Sequence, residues 1–280
     1  MKKNILMTFF AFLCLLVPLT STSAESLQNN ALKLKLNGAF LIYSKGTMPY
    51  IDTNNRTLVP LRVFSDVLDG EIEWNNSTKT VTFKSSELSI IAALNKKEAI
   101  INGKNVKLDT SIANKNGTIM IPAKWVAEGL EIPINWDSKN KVVSMNYEKF
   151  FLTGPLERMN NEQRVDYQFN TNIIPLNISY GENDGYESLK IKIYNDSEHV
   201  YQKGELQDHL LVLVNNSNVI DEGTKGETNS DRSDLRLITK IDSNETYEYY
   251  LPVGRLDQKQ LQVDYPQYAF IRFYNISKIL

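Results

Sequence analysis

One stretch of this chain occurs twice, in register and without a gap. Residues 56–83 read RTLVPLRVFSDVLDGEIEWNNSTKTVTF, and residues 118–145 read TIMIPAKWVAEGLEIPINWDSKNKVVSM. Pro60 aligns with Pro122, which sets the offset at 62 residues. Other aligned pairs are Arg62 with Lys124, Asp66 with Glu128, Ile72 with Ile134, Trp74 with Trp136 and Val81 with Val143. An internal repeat of this kind predicts one supersecondary unit that is built twice.

Each copy contains the pattern of a short amphipathic helix. Pro60 suits the first helical position, where its missing N–H would have no partner. Leu61, Phe64 and Leu68 then form an apolar stripe at helical spacing, and Gly70 can adopt a left-handed conformation past the helix end. The stripe of the second copy consists of Ala123, Val126 and Leu130. We therefore predict a helix of about two turns in each copy.

Hairpin patterns flank both helices. Asn37-Gly38 and Asn102-Gly103 each lie between strand-like runs, and Asn-Gly in that setting is a strong hairpin signal. Downstream of the first helix, residues 71–74 and 80–83 alternate polar and apolar side chains around a turn. Each unit thus reads hairpin, helix, hairpin. Because one unit alone buries little apolar surface, we expect two units to share a core in an α+β domain.

The paired signature NG, LVPLR, W-[ND] and K-x-V resembles the copper amine oxidase N-terminal domain, also called the stalk domain, of secreted Gram-positive proteins. The resemblance covers roughly residues 32–147, and the second copy departs from it, with IPAK in place of VPLR. It implies an antiparallel sheet wrapped on helices that serves as a stalk or attachment module. It implies no catalytic residues and no cofactor, because the copper and quinone of amine oxidases belong to a separate catalytic domain.

Residues 1–24 have the pattern of a secretory signal peptide. Lys2 and Lys3 precede an apolar run, and small residues end at Ala24. Cys14 lies inside the apolar run, so cleavage after Ala24 would remove the only cysteine. We expect a secreted protein, extracellular or associated with the cell wall, that forms no disulfide.

The charge balance argues against several partners. The net charge of the whole chain is −2 and becomes −4 without residues 1–24, which carry two lysines and no acid. A mildly acidic surface disfavours nucleic acid and anionic membranes. No stretch after the signal is apolar enough to span a membrane, so the expected partner is a cell-wall polysaccharide or a secreted or envelope protein.

The mature chain is long enough for two domains. We assign residues 25–149 to the repeat domain and residues 150–280 to an all-β domain, with Phe150 and Phe151 packing the two together. Strand-like runs in the second part are separated by Asn, Asp, Gly and Ser, which predicts an antiparallel, immunoglobulin-like sandwich. The predicted strands are 165–169, 173–180, 188–194, 209–214, 235–241, 246–251 and 268–274.

Aromatic residues are the candidate ligand-binding residues. Trp74 and Trp136 occupy matched positions and alternate with polar neighbours, which favours core positions. Trp125 aligns with Val63 and lies off the helical stripe, so it is the better candidate for an exposed, sugar-stacking residue. Two tyrosines on one predicted strand complete the candidate set, Tyr247 and Tyr249.

The candidate metal-binding and catalytic residues match no recognised motif. His199 and His209 each follow an acid, but their spacing matches no usual zinc site. The acidic segment from Asp221 to Asp234 could bind calcium, although it lacks the order of an EF-hand loop. No mature cysteine and no Gly-x-Ser-x-Gly elbow occurs, so no metal site, cofactor or catalytic group is assigned.

Three functions remain open at this stage. The leading hypothesis is a secreted, non-catalytic binding or adhesion module of the bacterial envelope. One alternative is an inhibitor or accessory subunit of a secreted enzyme, with the Asp221–Asp234 segment as its inserting element. The other is an unrecognised extracellular hydrolase, whose sign would be a deep cleft lined by two close carboxylates.

Overall fold

The computed structural model shows a chain that is mostly β-structure, with nineteen strands and two helices in the described residues. The residues it describes are 31–44, 46–107, 109–152, 156–157, 172–183, 186–203, 205–214, 218–221, 240–252 and 267–275. Neither helix in this part of the chain has the length or the apolar composition that crossing a lipid bilayer requires.

The first half contains both helices, α1 (Leu61–Val67) and α2 (Ala123–Gly129). Its strands are β1 (Lys33–Leu36), β2 (Ala39–Tyr43), β3 (Tyr50–Ile51), β4 (Thr57–Pro60), β5 (Glu71–Asn75), β6 (Thr80–Lys84), β7 (Ser89–Ala93), β8 (Glu98–Ile101), β9 (Lys104–Lys107), β10 (Ala113–Lys115), β11 (Thr118–Pro122), β12 (Ile134–Asp137) and β13 (Val142–Met145). The second half contains β14 (Ile173–Asn183), β15 (Tyr186–Asn195), β16 (Leu206–Val214), β17 (Asn218–Asp221), β18 (Thr246–Pro252) and β19 (Tyr268–Asn275).

The strands form four sheets. The seven-stranded sheet has the order β12-β13-β1-β2-β19-β16-β17, and the five-stranded sheet has the order β5-β6-β7-β8-β9. A four-stranded sheet (β10-β11-β4-β3) and a three-stranded sheet (β14-β15-β18) complete the set. All pairings are antiparallel except that of β1 with β13.

Local sequence explains the turns and the helix boundaries. Asn37 and Gly38 both have positive φ, as do Asn102 and Gly103, which is the geometry of type I′ hairpin turns. Pro60 and Pro122 directly precede α1 and α2 with nearly identical backbone angles. The residues of both predicted apolar stripes are buried.

The end of α1 differs from the prediction at one residue. Asp69, with a φ of 49°, adopts the left-handed conformation, and Gly70 does not. Gly70 is required for a different reason, because a Cβ at this position would lie 2.4 Å from Cε2 of Phe83. The glycine allows the chain after α1 to lie directly against the Phe83 ring.

The seven-, five- and four-stranded sheets each combine strands from both copies of the repeat. The seven-stranded sheet joins β1–β2, which precede the first helix, to β12–β13, which follow the second. The five-stranded sheet joins β5–β6, which follow the first helix, to β8–β9, with β7 between them. Where β4 pairs with β11, Val59 lies opposite Ile121, its counterpart at the offset of 62 residues. The register around this pair is symmetric, since Leu58 lies opposite Pro122 and Met120 opposite Pro60.

The seven-stranded sheet separates two apolar cores. Leu34, Leu41 and Phe270 on one face pack with the helices and the five-stranded sheet. On the other face, Phe40 and Ile271 pack with the three-stranded sheet. The same layer of strands therefore closes both cores.

Strands from both sides of residue 150 share this sheet. β19 pairs with β2, so that Phe270 lies opposite Leu41. Phe150 and Phe151 are fully buried, and the ring centroid of Phe151 lies 5.2 Å from that of Phe270. Both phenylalanines are thus in the core, and Phe151 contacts a strand from the other side of residue 150.

A buried polar contact also joins the halves. The Tyr268 hydroxyl on β19 donates a hydrogen bond to the Asp66 carboxylate on α1. Burial raises the pKa of Asp66, although the Tyr268 hydrogen bond and the charge of Arg62 oppose that rise. Burial, followed by the Asp66 charge, raises the pKa of Tyr268. This contact therefore places a desolvated carboxyl group between the first helix and the last described strand.

The immunoglobulin-like sandwich stays a prediction. The runs predicted at 173–180, 188–194, 209–214, 246–251 and 268–274 all fall on strands β14, β15, β16, β18 and β19. The run at 165–169 and all but the last two residues of the run at 235–241 lie outside the described residues. Ile241, at the end of the second run, forms an isolated bridge with Tyr201.

Candidate functional site

The structure reverses the burial expected of the tryptophans. Trp74 is 39% exposed and Trp136 is 47% exposed, whereas Trp125 is fully buried. The interpretation of Trp74 and Trp136 as core residues is therefore wrong, and so is the expectation that Trp125 is the exposed one. Both exposed indoles lie on the outermost strand of a sheet, so no neighbouring strand covers them on the outer side. Trp125 is covered because the core encloses more of the helix surface than the apolar stripe, and its counterpart Val63 is also fully buried.

Trp136 lines a surface groove of about 410 Å³, which we call the Trp136 groove. One wall is β12, represented by the consecutive residues Ile134, Asn135 and Trp136. Ile51 of β3 and the turn that follows it form the opposite wall. Residues at the start of α2 and Val143 of β13 complete the lining. The second copy of the repeat thus supplies one wall and the first copy supplies the other.

A hydrogen-bonded turn shapes the wall after β3. Asp52 Oδ1 accepts hydrogen bonds from the backbone N–H groups of Asn54 and Arg56, both at 2.8 Å. Asp52 Oδ2 accepts a further bond from the Thr110 hydroxyl. Burial acts to raise the pKa of Asp52, but these hydrogen bonds outweigh it and hold the pKa below its usual value. The ionised Asp52 therefore keeps the turn, and with it Asn55, in place beside the groove.

Two ion pairs lie along the groove. The Arg56 guanidinium pairs with Asp109, and both side chains are close to half exposed. The hydrogen bond from Arg56 holds the pKa of Asp109 below its usual value. Lys124 pairs with Glu128 one turn later on α2, with Nζ and Oε1 3.3 Å apart. Exposed pairs of this kind contribute little to stability, so these charges remain accessible to a ligand.

The chemistry of the groove is that of a binding site. Trp136, Ile134 and Ile51 offer half-exposed apolar surface, while Asn55 and Asn135 offer amide groups. Among the described residues that line the groove, Asp109 is the only carboxylate, and its partner Arg56 stabilises the ionised form. A lone, stably ionised carboxylate does not provide the acid and base pair that glycoside hydrolysis uses.

The predicted tyrosines lie elsewhere, on β18. Tyr249 is buried and Tyr247 is partly buried, and their rings stack with centroids 6.4 Å apart. Both pack toward the second core, whereas their neighbour Tyr250 is 40% exposed. The structure does not bring them together with Trp125 or with the Trp136 groove.

The remaining candidates carry no site in the described part of the chain. His199 Nε2 lies 2.5 Å from Glu205 Oε1, and its ring contacts Tyr201. His209 lies on β16, and its side chain is outside the described residues, as is the acidic segment beyond Asp221. Within the described residues no cluster of three or more metal-ligating side chains occurs.

Sequence reasoning missed most of the groove. Ile51 and Arg56, Asp109, and Trp136 come from three separate stretches of the chain and meet only in the folded domain. The repeat points to Trp136, but its alternation with polar neighbours favours a core position, which the structure contradicts. The signal that could have exposed the error is the position of β12 at the end of the second copy, which makes it a candidate edge strand.

Comparison with known proteins identifies the domain that contains the groove. Residues 35–145 match the family model described as copper amine oxidase N-terminal domain, and the match ends before β14. The match covers the repeat domain that contains the Trp136 groove. No curated protein and no solved structure matches the chain.

Proposed function

We propose that this chain, which carries a copper amine oxidase N-terminal domain over residues 35–145, is a secreted, non-catalytic binding protein of the Gram-positive cell envelope. Its ligand, a cell-wall component or an envelope protein, occupies the Trp136 groove. The family domain is a stalk-like module without catalytic function, which supports binding as its role.

The observation that carries this proposal is the exposure of Trp136. An indole that is 47% exposed beside two half-exposed isoleucines loses hydrophobic stabilisation unless a ligand covers it. Tryptophan is among the residues that contribute most to binding energy at interfaces, and amide and charged groups around it provide orientation. The groove offers both kinds of group within one lining.

Secretion is part of the same proposal. It is supported by the two lysines, the apolar run and the small residues of positions 1–24. The location that follows is extracellular or associated with the cell wall. The C-terminal part, which we continue to interpret as an immunoglobulin-like sandwich, would be presented or attached by the repeat domain.

A sedimentation assay tests the proposal. The mature chain from residue 25 is mixed with purified cell wall, and bound protein is compared between the wild type, Trp136→Ala and the matched variant Trp74→Ala. We expect Trp136→Ala to lose roughly tenfold or more in affinity and Trp74→Ala to bind like the wild type. The same comparison is made with envelope proteins immobilised individually. Binding that is equal for all three forms, or absent throughout, would refute the groove as the site.

A further inference from the structure

The Trp136 groove lies between two open sheet edges. β12 is the terminal strand of the seven-stranded sheet, and β3 is the terminal strand of the four-stranded sheet. In the described part of the chain no strand pairs with the outer side of either one. All four residues of β12 are exposed. Both strands that form walls of the groove are therefore edge strands, each with one side unpaired in the described part of the chain.

Other edge strands of the domain carry charges along their length, whereas the only charged residue of β12 is Asp137 at its end, which accepts hydrogen bonds from the turn that follows. β9 begins and ends with lysines, Lys104 and Lys107, and β5, the counterpart of β12, carries Glu71 and Glu73. Charges of this kind protect an edge against pairing with another strand. At the position of Glu73, β12 has Asn135, between two exposed apolar residues. The edge beside the groove thus carries one acid, at its end, where the equivalent edge of the first copy carries two along its length.

The charges of the groove favour an acidic occupant. Arg56 and Lys124 line it against the single carboxylate of Asp109, so the lining carries one net positive charge in a chain whose net charge is −2. Ile134 and Trp136 point to the same side of β12, since alternate residues of a strand share a face. A strand added beside them would place alternate side chains against these two residues.

We infer that the Trp136 groove takes an extended segment of a partner protein, in which apolar and acidic residues alternate, by strand addition to β12. This inference rests on the proposed function and names the class of ligand. Main-chain hydrogen bonds to β12 hold the segment, the apolar side chains cover Ile134 and Trp136, and the acidic ones lie near Arg56 and Lys124.

Designed peptides test the inference on the mature full chain. The probe is a capped peptide in which valine alternates with glutamate, and the controls are its lysine analogue and a peptide of the same composition with the valines grouped together. Two further peptides carry N-methyl groups at one or the other set of alternate residues. Binding is measured by titration, and the contact site by amide chemical shifts of Ile134 to Asp137.

We expect the valine–glutamate peptide to bind roughly tenfold more tightly than its lysine analogue and to shift the β12 amides. One N-methylated peptide should lose binding and the other should keep it, because only alternate N–H groups of a strand face its partner. Trp136→Ala and the charge reversal Lys124→Glu should weaken binding. Their matched variants, Trp74→Ala and Lys104→Glu, should not.

Several results would overturn strand addition. If no peptide binds but purified wall polysaccharide does so in a manner that depends on Trp136, the proposed function stands and this inference is wrong. A Trp136-dependent dimer in light scattering would assign the edge to a second copy and would equally refute it. If neither peptide, polysaccharide nor any envelope protein binds, both proposals fail.

Discussion

Lys33 is a charged residue in a position that suits an apolar one. It is only 4% exposed, and its Nζ donates a hydrogen bond of 3.1 Å to the Ala31 carbonyl. Burial, and to a smaller extent the charge of Lys141, lowers its pKa from 10.5 to about 8. At neutral pH the folded protein therefore keeps a partly desolvated ammonium group, which lowers the free energy of unfolding.

We predict that Lys33→Met stabilises the protein at pH 7. A shift of this size corresponds to at most roughly 3 kcal/mol. Between pH 8 and 10.5 the unfolded wild type binds more protons than the folded form, so wild-type stability should rise with pH there and the advantage of the variant should shrink. Urea unfolding at pH 7 and pH 10 measures both effects. Lys104→Met on the exposed β9 is the control, and an equal gain from it would contradict the prediction.

The tryptophans show what the sequence can and cannot predict about a single side chain. The repeat correctly predicts that Trp74 and Trp136 are equivalent, since both lie on an edge strand that follows a helix. The repeat does not predict that both are exposed. Alternation shows which residues lie on the same face of a strand, but not whether another element covers that face. The exposure expected of Trp125 is wrong for the same reason. How much of the α2 surface the core covers depends on the packing of the whole domain.

At the scale of elements, two hairpin turns do more than reverse the chain. Asn102 Oδ1 accepts a hydrogen bond from the Ser89 N–H at 2.9 Å, and its Nδ2 donates one to the Gly129 carbonyl at 2.7 Å. Asn37 makes the same pair of contacts with the N–H and carbonyl of Tyr147, at 2.9 Å and 2.8 Å. Each Asn-Gly turn thus ties a hairpin to a distant segment.

We predict that Asn102→Gly destabilises the fold by about 1–3 kcal/mol, because two side-chain hydrogen bonds to the backbone are lost while the turn geometry is kept. Asn116→Gly is the matched control. Asn116 and Gly117 have the same positive φ angles, but the Asn116 side chain makes no hydrogen bond to the described residues. The difference between the two variants in urea unfolding isolates the bonds, and equal costs would show that they contribute nothing.

The sequence predicts the individual helices and hairpins more accurately than it predicts burial or sheet order. Hairpins at the two Asn-Gly turns and helices after Pro60 and Pro122 follow from backbone preferences within a few residues. Local preferences could not reveal that the seven-, five- and four-stranded sheets each combine strands from both copies. That arrangement depends on how two amphipathic units cover one another, and no short stretch of sequence encodes it.

In the whole molecule, the repeat domain and the C-terminal strands depend on one another. β19 covers the outer edge of β2, and the three-stranded sheet covers a face that includes Phe40 and Ile42. Lys139 and Asn140, in the turn after β12, also bind Asp196 beyond β15, at 2.6 Å and 2.8 Å. The family match ends at residue 145, but the core of the repeat domain also contains residues beyond it, such as Phe151 and Phe270.

We predict that a chain of residues 25–149 self-associates, whereas residues 25–280 do not associate through this edge. The shorter chain would expose the edge of β2 and the apolar side chains of Phe40, Ile42 and Val142. Open edges and apolar faces of this kind promote association. Light scattering and binding of an apolar dye to both chains provide the measurement. A monomeric shorter chain that binds no dye would show that the repeat domain is independent of β19.

The amino-acid sequence by itself determined the repeat, its turns, its helix starts and the family of its first half. These features depend on contacts between residues close in the chain, where backbone conformation and side-chain spacing decide the outcome. Tertiary structure alone decided which tryptophans reach solvent, which strand ends up at an open edge and which charges meet beside it. The physical reason is that burial and edge pairing depend on what packs from elsewhere in the chain, and the groove forms only where residues from distant parts of the chain meet.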